Sequence, residues 1–183
     1  MQVPVSTSSG NSGHGWEDLD DPINMRYITS PDKDGIQFGD YLDALADYRD
    51  QLPSEVAEFA GDEDRFVLNH EKSLHDAWLE EVRIIESRST DSKPSEVSIQ
   101  LILLGQMHDR KIIINYQGVM NHLFSGARTN CNFHDTFHGD IFTHEVRLSE
   151  EGMVQHEILF DEVTRFEVTC QTFSVEDQIN QTG

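Results

Sequence analysis

The chain has 183 residues, with 34 Asp and Glu against 13 Lys and Arg, a formal net charge of −21. Such a chain repels nucleic acid and anionic membranes, and it lacks the lysines and arginines with which proteins neutralise phosphates; direct binding to either is argued against. Apolar residues make up 37%, clustered enough for one core, and the length suits one domain rather than two.

Two cysteines, Cys131 and Cys170, make no disulfide framework. The opening MQVPVSTSSG has neither a basic segment nor an apolar run, so it does not read as a secretory signal. The longest apolar runs, Leu101 to Leu104 and Ile112 to Ile114, are strand-sized rather than membrane-spanning. The expectation is a soluble cytoplasmic protein with reduced thiols, Cys170 in the core and Cys131 in a polar loop.

In chain order, residues 1–21 read as a flexible acidic tail, residues 22–173 as a single domain and residues 174–183 as a frayed end. Ile23 to Ile28 reads as a short edge strand, closed by the turn residues Ser30 to Gly35. From Phe38 to Gln51 the apolar residues Phe38, Tyr41, Leu42, Leu45 and Tyr48 recur at helical spacing, with aspartates on the wet face. Leu52-Pro53 ends that helix, and Ser54 opens a second with Val56, Phe59 and Ala60 on its apolar face. Beyond His70 the pattern turns to strands: Trp78 to Ser87, Glu96 to Gly105, and Lys111 to about Phe124. After a loop at Gly126 to Phe137 comes a meander of Ile141 to Leu148, Met153 to Phe160 and Arg165 to Phe173. Short turns between successive strands imply antiparallel pairing. The predicted architecture is α+β: two N-terminal helices on an antiparallel, curled sheet of five or six strands. Its core is expected from Tyr41, Leu42, Leu45, Trp78, Val82, Ile84, Val146, Leu148, Ile158 and Phe160.

Three constellations invite chemistry. His134, His138, Asp140 and His144 form a histidine-rich stretch with metal-ligand chemistry, the basis for an alternative reading as a metal-dependent hydrolase. A His-x3-His pair is compact only on a helix, however, and Gly139 marks a loop, so neither a metal nor any other cofactor is assigned. The His-Asp dipeptides at 75–76, 108–109 and 134–135 fall at turns and strand openings, where Asp is favoured on conformational grounds. His144-Glu145 and His156-Glu157 sit on neighbouring strands, where cross-strand His–Glu pairing explains them. No nucleophile elbow or phosphate-cradling glycine loop is present, and no catalytic residue is assigned.

Leu74-His75-Asp76-Ala77-Trp78-Leu79, the His108-Asp109-Arg110 turn and His138-Gly139-Asp140-Ile141-Phe142-Thr143-His144-Glu145-Val146 together resemble a family of small uncharacterised bacterial domains. More loosely, the Leu-His-Asp opener followed by an apolar strand and a strand ending near Gly118-Val119 is similar to one class of polymorphic-toxin immunity proteins. The resemblance covers about residues 36–173 and carries no catalytic residues with it. It implies a binding module that blocks a basic partner, such as a toxin domain, and the acidity fits charge-guided capture. Asp40, Asp43, Asp47 and Asp50 on the first helix and Asp62, Glu63 and Asp64 in the following loop are the expected contact patches. A nucleic-acid mimic, with the same aspartates imitating phosphates, is the other binding alternative.

Overall fold

The computed structural model describes residues 25–28, 38–90, 92–126, 136–160 and 164–180. Among the described residues, two short helices, α1 (Gly39–Tyr48) and α2 (Ser54–Ala60), precede eight strands. These are β1 (Trp78–Ser87), β2 (Glu96–Leu104), β3 (Arg110–Gln117), β4 (Asn121–Ser125), β5 (Ile141–Leu148), β6 (Val154–Phe160), β7 (Thr164–Cys170) and β8 (Thr172–Ile179). One 3-10 turn, Arg49–Gln51, extends α1, and another, Glu63–Arg65, follows α2. The strands pair antiparallel in two open sheets: sheet I in the order β1-β2-β3-β8 and sheet II in the order β4-β7-β6-β5. The α+β class and the antiparallel pairing agree with expectation; the single sheet of five or six strands does not.

The discrepancy has a local cause. The expected strand from Lys111 to Phe124 is two strands in different sheets, broken at Gly118, whose φ is +59°. Past that residue the Val119 N–H donates to the Val97 carbonyl in sheet I, and the Met120 N–H to the Thr169 carbonyl in sheet II. The expected strand from Arg165 to Phe173 is divided likewise, β7 ending at Cys170 and β8 starting at Thr172. Between them the Gln171 N–H donates to the carbonyls of Gln117 and Gly118. The chain therefore crosses between sheets twice, side by side. The positive φ favours glycine at 118, and a Cβ there would lie 2.5 Å from the exposed Gln171 side chain, which would have to move. Ser174 to Ile179, expected to fray, instead completes β8 against β3. The described part of the expected first edge strand, residues 25–28, is not a strand; the Tyr27 and Ile28 N–H groups donate to Glu145 Oε2 at 2.9 and 3.0 Å.

Alternate residues of both sheets fill one core. Leu101, Leu103, Ile112, Ile114 and Tyr116 come from sheet I, and Val146, Ile158, Phe166 and Val168 from sheet II. Tyr116 and Phe166 meet at a ring distance of 5.9 Å. The helices add Tyr41, Leu45, Val56, Phe59 and Ala60, all buried. Of the expected core, Leu42, Val82 and Leu148 are partly buried against it, and Trp78 is half-buried against the His108 ring. Ile84 is the exception, 53% exposed. It pairs with Ile99 near the end of β1, where the β1–β2 ribbon runs on past the pairs that β2 makes with β3. The sheets touch at the start of β1, where the Asp76 N–H donates to the Ile141 carbonyl and the Ile141 N–H to the Ala77 carbonyl, each at 2.9 Å.

Candidate functional site

The expected acidic contact surface separates into two kinds of carboxylate. Asp40, Asp43 and Asp47 recur at intervals of three and four on the face of α1 opposite buried Tyr41 and Leu45, and Asp50 follows in the 3-10 turn. All four are exposed, and none is ion-paired to a described residue. Asp62 and Asp64 are half-buried and engaged: Asp62 lies 3.3 Å from Lys72 Nζ and 3.7 Å from Arg65 Nε, and Asp64 lies 3.6 Å from His70. Asp62 also caps the 3-10 turn by accepting the Asp64 N–H, and Glu63 is exposed. The loop trio is thus largely occupied in holding its own turn, and the row on α1 is the surface left open.

The histidine-rich stretch is not gathered into one place. His134, like Cys131, lies outside the described residues. His138 packs its ring on Phe124 at 4.8 Å and Phe137 at 4.8 Å, and burial lowers its pKa. Asp140 sits opposite Trp78 where the sheets touch. His144 points into the core, 1% exposed, stacked on Phe66 at a ring distance of 4.4 Å. Among the described residues, no three of His, Cys, Asp and Glu stand together as metal ligands.

Two buried polar assemblies are built around the dipeptides His144-Glu145 and His156-Glu157. On the outer face of sheet II, Glu145 and Glu157 stand directly opposite each other, 0% and 1% exposed. The pairing expected between histidine and glutamate is therefore glutamate against glutamate, with both histidines on the other face. Like charges at that spacing repel, and Arg147 Nη1 answers both carboxylates at 2.9 and 2.7 Å, with Arg165 on the far side of Glu157. Glu145 also accepts the two N–H groups from Tyr27 and Ile28 described above, which docks that segment onto β5.

On the inner face His144 Nδ1 lies 3.4 Å from His156 Nε2, and His156 Nδ1 lies 2.8 Å from the Tyr116 hydroxyl. Phe59 packs against both imidazoles, at ring distances of 5.3 and 5.6 Å. Burial, the neighbouring imidazole and Arg65 hold His144 far below the ordinary imidazole range; burial, then Arg147, pushes His156 down to about 3. Burial also pushes the Cys170 thiol up to about 12, so it stays protonated as the core residue the sequence suggested. Strand alternation alone places His144 with Val146 on one face; what it lacks is the register that brings His156 alongside. Compared with family models and with curated proteins, the sequence gives no match.

Proposed function

We propose that this chain is a non-catalytic acidic binding protein that captures and blocks a basic protein surface, in the manner of an immunity or antitoxin-like protein facing a cationic toxin domain. The observation that carries the reading is the unpaired carboxylate row Asp40, Asp43, Asp47 and Asp50 on the outer face of α1. Only Asp40, in the first turn, is favoured by the helix dipole; the rest of the row works against the helix. Like charges three and four residues apart destabilise a helix by about 0.2–0.5 kcal/mol per pair. Asp47, moreover, stands in the last turn, where the helix dipole disfavours an anion, and no basic residue occupies that turn. A feature unfavourable to its own helix is explained by a cationic partner that relieves it on binding.

The test is kinetic. A partner recovered with the intact chain should be basic, and its association rate should fall at least about tenfold as salt rises from about 0.05 to 0.5 M. Joint replacement Asp43→Asn, Asp47→Asn and Asp50→Asn should slow association at low salt and leave dissociation nearly unchanged. Association indifferent to both salt and substitution sinks the proposal.

A further inference from the structure

Where the start of β1 meets β5, Arg65, Phe66, His75, Phe142, Thr143 and His144 line a recess of about 10 Å³, room for one small body. The backbone is irregular around it. Ile141 pairs with Phe160 and Thr143 with Leu159, leaving Phe142 as an extra, bulged residue, and Asp76 beside His75 has a φ of 62°. Bulges re-aim side chains and recur beside functional sites.

Four polar atoms of this lining are buried without a hydrogen bond: His144 Nε2, Thr143 Oγ1, Arg65 Nε and His75 Nδ1. Such atoms are uncommon and demand an explanation. The other Arg65 nitrogens are spent on Asp177, bonded at 3.1 and 2.8 Å. Asp62, at 3.7 Å from Nε, is beyond hydrogen-bond reach. His75 Nδ1 lies 2.9 Å from Asp76 Oδ1, an ion-pair distance without a hydrogen bond, and a nitrogen facing a carboxylate that closely is a donor, not an acceptor.

The buried chain decides what His144 offers. The Tyr116 hydroxyl has His156 Nδ1 as its partner and is wholly buried, so its proton goes to that nitrogen. His156 then carries its own proton on Nε2 and donates to His144 Nδ1, which leaves the His144 proton on Nε2, the unpartnered atom. Arg65 Nε–H can only donate. Apart from His75, which faces Asp76, the set is therefore two fixed donors and one hydroxyl. A water here would have two protons to place and only Thr143 Oγ1 to receive them, whereas an anion accepts from all three.

We infer that this recess is a binding site for a small inorganic anion of halide size, held by His144 Nε2–H, the Thr143 hydroxyl and Arg65 Nε–H. The surroundings favour it inside an otherwise acidic molecule. The cation at the recess is Arg65, whose terminal nitrogens pair with Asp177 and whose Nε, 3.7 Å from Asp62, is left without a hydrogen bond. A bound ion ties the 3-10 turn carrying Arg65 to β5.

The experiment replaces sodium gluconate with sodium chloride at constant ionic strength and follows thermal unfolding of the full chain. At about ten times its dissociation constant, chloride should raise Tm by about 3–6 °C. Thr143→Val should remove that rise, and Thr164→Val, at another buried hydroxyl without a partner, should keep it. Should Thr143→Val fail to fold, crystals of the unaltered protein soaked in bromide provide the second measurement, with an anomalous peak expected within reach of His144 Nε2 and Thr143 Oγ1. No chloride-specific rise, or a recess holding water alone in the bromide crystals, overturns the inference.

Discussion

Arg147 shows how unequal two ion pairs of similar length can be. It is 12% exposed and stands between two carboxylates exposed by 0% and 1%; removing it leaves both buried and repelling. Arg147→Met should therefore cost about 3–5 kcal/mol in urea unfolding at neutral pH. Arg83 pairs with Glu81 at a similar distance, but in solvent; Arg83→Met should cost no more than about 0.5 kcal/mol. Equal losses at the two positions would contradict the burial argument. The buried imidazoles set a pH dependence of definite sign. In the fold His156 is pushed from 6.5 to about 3, so between these values the unfolded chain binds a proton that the folded chain refuses. The imidazole contribution should be flat above about pH 7 and should fall on acidification, with a limiting slope of about 1.4 kcal/mol per pH unit for each such histidine. His156→Gln keeps an acceptor for Tyr116 and cannot be protonated. Between pH 6 and 5 it should reduce the slope; an unchanged slope would show that His156 already carries charge in the fold.

Among the elements, those whose ends are written in local chemistry were legible in the sequence: Trp78–Ser87 was read with its bounds, and β2, β5 and β6 to within a residue. Helix periodicity likewise found α1 and α2, where Pro53 separates them. What the pattern missed were the crossings at Gly118 and Gln171, because apolar alternation continues unbroken through a change of sheet and carries no record of which neighbour a strand pairs with. Gly118→Ala, with a strained φ and a clash against Gln171, should cost at least about 1–2 kcal/mol. Unfolding at the unaltered midpoint would mean that the crossing does not constrain that residue. Ile84 fails in the opposite direction: alternation marks it as inward, but the ribbon outruns the layer that would cover it. Ile84→Thr should change stability by no more than about 0.5 kcal/mol; a loss of 2 kcal/mol or more would restore it to the core.

At the scale of the whole molecule, a net charge of −21 opposes compaction, and screening relieves it. Raising sodium gluconate from about 0.02 to 0.3 M should lift Tm, by about 2–4 °C per kcal/mol of repulsion removed in a domain of this size. A Tm that does not move would show that the excess charge is too dispersed to matter. Charge is also why the acidic surface was legible in the sequence: helical spacing alone puts Asp40, Asp43 and Asp47 on one face. The recess was not, because its lining comes from the turn after α2, the segment before β1 and the bulge in β5, which only the tertiary arrangement brings together. The late crossing at Gln171 has a mechanical consequence. β8 enters sheet I at its edge, and its last residue, Ile179, is 71% exposed. Force applied at the C-terminal end therefore breaks the β3–β8 ladder one rung at a time, from Ile179 opposite Arg110 back to Thr172 opposite Gln117, instead of loading all its bonds at once. A protease motor that grips this end should meet its resistance at Asp177, held by the buried Arg65, and at Phe173 in the core, rather than in the ladder itself. In single-molecule pulling, detachment of β8 should appear as a separate low-force step before the sheets part, and one high-force rupture would refute it.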